Sequence, residues 1–69
     1  MKQVPDKISP ITIEVMQLLA DGYSSKEAGE FLGLTTDAIL MRSAYARKKL
    51  GAKNVTHAVA ILLKTGKIK

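Results

Sequence analysis

The sequence contains no cysteine and no tryptophan, and its only aromatic residues are two tyrosines and one phenylalanine. The absence of cysteine excludes disulfides, thiolate zinc sites and cysteine nucleophiles. A chain of 69 residues encloses one small core, so without disulfides it must be stabilised by helix packing or by oligomerisation. We therefore expect a single domain in a reducing, cytoplasmic location.

The chain also lacks a long hydrophobic segment. Its longest apolar run, residues 58–63, is too short to cross a bilayer, so we expect no membrane partner. His57 is the only histidine, and too few ligands surround it in the sequence for a metal site; we expect no cofactor. No nucleophile with a base, carboxylate pair or phosphate-cradling loop can be assembled, so catalysis is not expected.

Acidic residues are missing from the second half of the chain. Residues 1–37 carry three lysines and six acids, a formal charge of −3, whereas residues 38–69 carry eight basic residues and no acid, a charge of +8. This asymmetry favours a polyanionic partner. Lysines that merely solvate helix ends would give the same pattern, so charge alone does not decide.

Residues that begin and end helices divide the chain into four predicted helices, and no segment has the pattern of a strand. From the N-cap to the glycine that follows each helix, they cover residues 9–22, 24–33, 35–51 and 54–66. Ser24 and Glu27 have the spacing of a capping box. We expect residues 8–66 to form the domain, with a flexible N-terminal tail over 1–7 and a disordered basic tail over 67–69.

The second and third predicted helices follow each other directly, as in a helix-turn-helix. Gly29 provides a small residue where two helices approach closely, and Gly33 tolerates the positive φ that a tight turn needs. Apolar residues occupy the positions that such a unit buries: Ala28, Leu32, Leu34 and Ile39. Spacing, caps and apolar positions therefore agree on an all-α helix-turn-helix domain.

Five short motifs are spread along the chain: Ile8-Ser9-Pro10 followed by Glu14-Val15, Leu19-Ala20-Asp21-Gly22, Ser24-Ser25-Lys26-Glu27, Leu34-Thr35, and Lys48-Lys49-Leu50-Gly51. They are similar to the Leu-Thr-Pro with Glu-Val-Leu, Leu-Ala-x-Gly, Ser-Asn-Lys-Glu, Ile-Ser and Arg-Lys-Leu-Gly motifs of one family. Residues 8–63 thus resemble the DNA-binding domain of LuxR-type (GerE-like) regulators. Members often carry an effector or receiver domain ahead of this one, and we expect a stand-alone form here.

The resemblance implies a four-helix fold that binds double-stranded DNA, with the helix Thr36–Leu50 in the major groove. Ser25 and Lys26 at a helix start, and Lys48 and Lys49 at a helix end, would hold phosphates. The full set of expected DNA-binding residues is Ser25, Lys26, Thr35, Thr36, Asp37, Leu40, Met41, Arg42, Ala44, Tyr45, Lys48 and Lys49.

The resemblance also implies a homodimer paired through the fourth helix. Residues 58–63 are apolar on every side of that helix, whereas a helix that covers one side of a small core has a polar outer face. We expect the contact to contain four residues: Ala58, Val59, Leu62 and Leu63. The alternative is a fourth helix buried more deeply within the monomer.

The predicted recognition helix departs from the family pattern. Where the family has Thr-Val-Lys-x-His, this chain has Ala38-Ile39-Leu40-Met41-Arg42. Apolar side chains cannot make the bidentate hydrogen bonds that distinguish guanine or adenine, although they can touch thymine methyls. The second hypothesis is therefore an adaptor or inhibitor that binds another protein through an apolar surface of Leu40, Met41 and Tyr45. The planar guanidinium of Arg42 could reach a phosphate or a guanine edge, and we interpret it as a phosphate contact. The alternative is a solvated arginine packed along its stem.

Overall fold

The computed structural model of the protein describes residues 8–69, which form four helices and no strand. The helices are α1 (Pro10–Ala20), α2 (Ser25–Leu32), α3 (Thr36–Leu50) and α4 (Val55–Lys64). This architecture confirms the predicted all-α fold. The predicted N-terminal tail, residues 1–7, lies outside the described residues.

Each helix begins at a residue whose side-chain oxygen accepts a hydrogen bond from a backbone amide of the first turn. Three of these N-caps are the predicted ones, Ser9, Ser24 and Thr35. The fourth is Asn54, where the fourth helix was predicted to begin. At α2 the cap is reciprocal, because the backbone N–H of Ser24 donates to Glu27 Oε1 at 2.8 Å. That hydrogen bond holds the pKa of the Glu27 carboxyl below its usual range.

The apolar core of the described residues has two parts. The larger part joins α1, α3, α4 and the C-terminal residues through Ile8, Met16, Ala46, Leu50, Ala52, Ala58, Leu62 and Ile68. The smaller part lies under the helix-turn-helix and contains Val15, Ala28 and Ile39. Helix α3 contributes to both parts, and four residues along its inner side are buried: Ile39, Ser43, Ala46 and Leu50. The core therefore fixes which side of α3 faces outward.

The C-terminal residues do not form the disordered tail that was predicted. Ile68 is only 3 % exposed and packs in the larger core. The backbone N–H of Lys69 donates to Gln17 Oε1 at 2.8 Å, while Gln17 Nε2 donates to the Lys69 carbonyl at 3.2 Å. The prediction was wrong because the turn at Gly66 reverses the chain and brings one apolar residue against α1 and α4.

Helix α4 is more deeply buried than the dimer prediction assumed. Ala58 and Leu62, both expected at a subunit contact, are fully buried in the core of this one chain, so they offer no surface to a second subunit. The prediction is wrong for these two residues because their spacing of four places them on the face toward α1 and α3. Val59 is half-buried, and Leu63 is 46 % exposed.

Candidate nucleic-acid interface

The turn between α2 and α3 sets the position of α3. The backbone N–H of Leu34 donates to the Gly29 carbonyl at 2.8 Å, and Gly33 adopts the left-handed conformation with φ 72°. A Cβ atom at Gly29 would lie 2.5 Å from the carbonyl oxygen of Leu34. Both glycines are thus required as predicted, although the close neighbour of Gly29 is the backbone of the turn rather than another helix.

One side of α3 forms a continuous exposed stripe. Its residues recur at spacings of three and four and are all exposed: Asp37, Leu40, Met41, Ala44, Tyr45 and Lys48. Met41 is 73 % exposed and Leu40 is 51 % exposed, which is unusual for large apolar side chains at the centre of a helix. The structure therefore brings six of the predicted site residues together on one face, which we call the α3 stripe.

The start of α2 lies beside the α3 stripe. Ser25 and Leu40 line the same open groove of about 500 Å³, whereas Lys26 is exposed on the outer side of α2. The start of α4 also borders this groove, through Val55 and Thr56. Sequence reasoning missed Thr56; the signal that could have found it is the Asn54 cap, which begins a helix there.

Two predicted site residues stand at the start of α3. The hydroxyl of Thr35 accepts from the Ala38 amide at 3.0 Å, so this oxygen caps the helix. Thr36 is exposed in the first turn. The first backbone amides of a helix carry a partial positive charge, so this end of α3 is suited to an anionic group.

Arg42 lies at the side of the α3 stripe rather than on it. It is half-buried, and its Nη1 donates to Ser9 Oγ at 3.3 Å, which ties α3 to the start of α1. A guanidinium has five N–H donors, so this one bond leaves others for a phosphate. Together with Met41 and Tyr45, Arg42 lines a second open groove of about 400 Å³.

The last turn of α3 is strongly basic. Arg47, Lys48 and Lys49 lie there, where positive charge stabilises the carboxyl end of a helix. Lys49 Nζ stands 5.5 Å from the centre of the Tyr45 ring, a cation–π contact that also positions the ring. No acidic residue follows Asp37 in the sequence to neutralise this end of the stripe.

His57 has a local structural role on the surface. Its Nδ1 accepts from the backbone N–H of Lys53 at 3.0 Å, and its own backbone N–H donates to Asn54 Oδ1. Within residues 8–69 no three His, Cys, Asp or Glu side chains stand close enough to hold a metal ion. None of the helices described is long and apolar enough to span a membrane.

The short α2, the turn at Gly33 and the longer α3 with its exposed stripe define the chain as a helix-turn-helix domain. Residues 6–62 match the GerE model, described as bacterial regulatory proteins of the luxR family. The chain belongs to this family, as the resemblance of its motifs indicated.

Among known proteins, the chain is similar to the transcriptional activator protein BjaR1 of Bradyrhizobium diazoefficiens. The two are 38% identical over 58 residues, which make up 84% of this chain and 24% of that protein. The chain therefore spans about a quarter of the length of this relative. No solved structure gives a significant match.

Proposed function

We propose that the protein is a DNA-binding transcriptional regulator whose α3 enters the major groove. The observation that carries this proposal is the α3 stripe, a helix face that is exposed along its length and lies beside the basic last turn of Arg47, Lys48 and Lys49. A major groove admits one α-helix, and cations beside it replace the counterions of the phosphates. Membership in the luxR family of regulatory proteins, and similarity to a transcriptional activator, support the same function.

The residues divide into phosphate contacts and base contacts. Lys48 on the stripe and Lys26 and Lys49 outside it are exposed cations. Together with Arg42 they would lie along the phosphate backbone. In the groove, Leu40, Met41 and Ala44 would touch thymine methyls, and Tyr45 would cover apolar surface beside them. Asp37, the only acid of the stripe, would accept from a cytosine amino group. Thr35, Thr36 and Ser25 would approach phosphates through helix starts.

The test of the phosphate contacts is a double variant, Lys48→Ala with Lys49→Ala, titrated against duplex DNA at several salt concentrations by fluorescence anisotropy. Two lost contacts should weaken binding to all sequences about equally and reduce the slope of log affinity against log salt by roughly two units. The matched control is Lys64→Ala with Lys69→Ala, which removes the same charge from exposed positions outside the stripe. Equal effects of the two double variants would contradict the assigned contacts.

We also propose that the protein binds DNA as a homodimer paired through the outer side of α4. Leu63 is exposed, and Val59 and Ala60 keep part of their surface accessible beside it. These side chains would be covered by the same helix of a second subunit about a two-fold axis. The surface is smaller than the sequence indicated, because Ala58 and Leu62 belong to the core.

A second candidate function is supported by the composition of the α3 stripe. Its centre is apolar, and the groove beside Met41 and Tyr45 is lined mainly by apolar surface. Exposed apolar patches of this kind commonly bind protein. An adaptor or inhibitor would use Leu40, Met41 and Tyr45 as the centre of such a contact, and a charge placed at Leu40 would abolish it.

A further inference from the structure

The side of the molecule formed by α1 and α2 carries an exposed aromatic pair that the proposed DNA contact does not use. Phe31, on α2, is 68 % exposed, and Tyr23 precedes α2 with an exposed ring. The two rings meet edge to face, with centroids 6.0 Å apart and an interplanar angle of 88°. This arrangement holds both rings in defined positions on the surface.

Beside Phe31 lies a shallow groove of about 220 Å³ between α1 and α2. Its walls are Glu14, Gln17 and Leu18 of α1 with Phe31 and Leu32 of α2. The surface of the groove is mainly apolar, and a carboxylate stands at its edge. We call this groove, with the Tyr23–Phe31 pair, the aromatic edge.

The surroundings of the aromatic edge are acidic. Over residues 8–32, which contain α1 and α2, there are four acids and a single cation, Lys26. Glu27 is one turn before Phe31 on α2. Lys26 is five residues before Phe31, about 140° around the helix, so it lies on the other side of α2. These carboxylates repel phosphates and attract cations, so the charge favours a basic ligand over a nucleic acid, although the backbone of Lys69 is bonded to Gln17 on one wall of the groove.

We infer that the aromatic edge is a second binding surface, which takes a basic amphipathic segment of a partner protein. An apolar side chain of the segment fills the groove between Leu18 and Phe31, and its lysines or arginines pair with Glu14 and the α2 carboxylates. Aromatic side chains in such positions contribute most of the binding free energy in protein contacts, and complementary charge selects the partner. The groove beside Phe31 contains no residue of the α3 stripe, whereas Tyr23 also borders the groove that Ser25 and Leu40 line. A partner seated in the groove beside Phe31 can therefore bind while α3 contacts DNA.

The test uses two synthetic helical peptides and the full chain labelled with ¹⁵N. The first peptide has leucines at spacings of three and four with lysines elsewhere; the second has every lysine replaced by glutamate. We expect the basic peptide to shift the amide signals of Glu14, Leu18 and Phe31, and the acidic peptide to leave them unchanged. Equal shifts by both peptides, or shifts confined to α3 or α4, would overturn the inference.

Two variants with similarly exposed side chains separate this surface from the DNA-binding face. Phe31→Ala should lower the affinity for the basic peptide about tenfold or more, while duplex binding and thermal stability stay unchanged. Met41→Ala, on the α3 stripe, should leave the peptide affinity unchanged. Loss of peptide binding by Met41→Ala but not by Phe31→Ala would overturn the inference, whatever the outcome for DNA. Failure of duplex binding by the wild type would instead contradict only the proposed regulator function.

Discussion

At the scale of single residues, Gly29 is a position where the turn leaves no room for a side chain. Its backbone is helical, and in an exposed helix interior alanine is more favourable than glycine by about 1 kcal/mol. Here, however, an added Cβ would stand 2.5 Å from a backbone oxygen of the turn, Leu34 O, which cannot rotate away. The packing of the turn therefore outweighs helix propensity at this residue.

We predict that Gly29→Ala lowers the free energy of unfolding by roughly 2 kcal/mol, because the turn must shift to admit the methyl group. Urea denaturation followed by circular dichroism measures the change. Glu30→Ala, exposed on the same helix, is the control and should change stability by less than about 0.5 kcal/mol. A Gly29→Ala variant as stable as the wild type would show that the turn is looser than described.

At the scale of whole elements, the C-terminal residues act as a strap across α1 and α4. Ile68 fills the larger core, and two hydrogen bonds join Gln17 to the backbone of Lys69. A small domain has few buried side chains, so each one contributes a large share of its stability. Ile68 and Lys69 are therefore part of the folded domain and not of a disordered tail.

Truncating the buried side chain of this strap should destabilise the domain. We expect Ile68→Ala to lower the free energy of unfolding by about 2 kcal/mol. Lys69→Ala should leave it nearly unchanged, because both hydrogen bonds between Lys69 and Gln17 use backbone atoms of Lys69. Thermal unfolding of the two variants measures the difference. Equal melting temperatures for Ile68→Ala and the wild type would mean that Ile68 is not held in the core.

The helix boundaries were predictable because capping is local: Ser9, Ser24, Thr35 and Asn54 each bond to an amide three residues later. The outward side of α3 was predictable as well, since it follows from the spacing of its buried residues. The depth of α4, the docking of Ile68 and the bond from Arg42 to Ser9 depend on contacts between distant residues. Periodicity within one segment carries no information about such contacts.

At the scale of the whole molecule, charge and burial divide the surface into two parts. The basic part follows α3 and α4, and the acidic part covers α1 and α2 together with the aromatic edge. A molecule with this division can contact DNA on one side and a basic protein segment on another. The outer side of α4 is the surface that we propose for pairing between two copies.

The proposed pairing predicts the assembly state of two variants. Leu63→Glu should give folded monomers, because it places a charge in the contact between subunits while leaving the core intact. Leu62→Glu should unfold the chain instead, because this side chain is fully buried. Sedimentation velocity with circular dichroism separates the two effects. A wild-type chain that is monomeric at high concentration would contradict the dimer.

The measurement that tests the central claim most directly is the affinity of the wild type and of Leu40→Lys for duplex DNA across a series of salt concentrations. If α3 lies in the major groove, wild-type affinity falls steeply as salt rises, and Leu40→Lys binds more tightly because it adds a cation there. The contrary result has two parts. The wild type shows no salt-sensitive binding to duplex DNA, and Leu40→Lys no longer binds a protein that the wild type recovers from its host's lysate. That result would contradict the function as a DNA-binding regulator and support the function as a protein-binding adaptor.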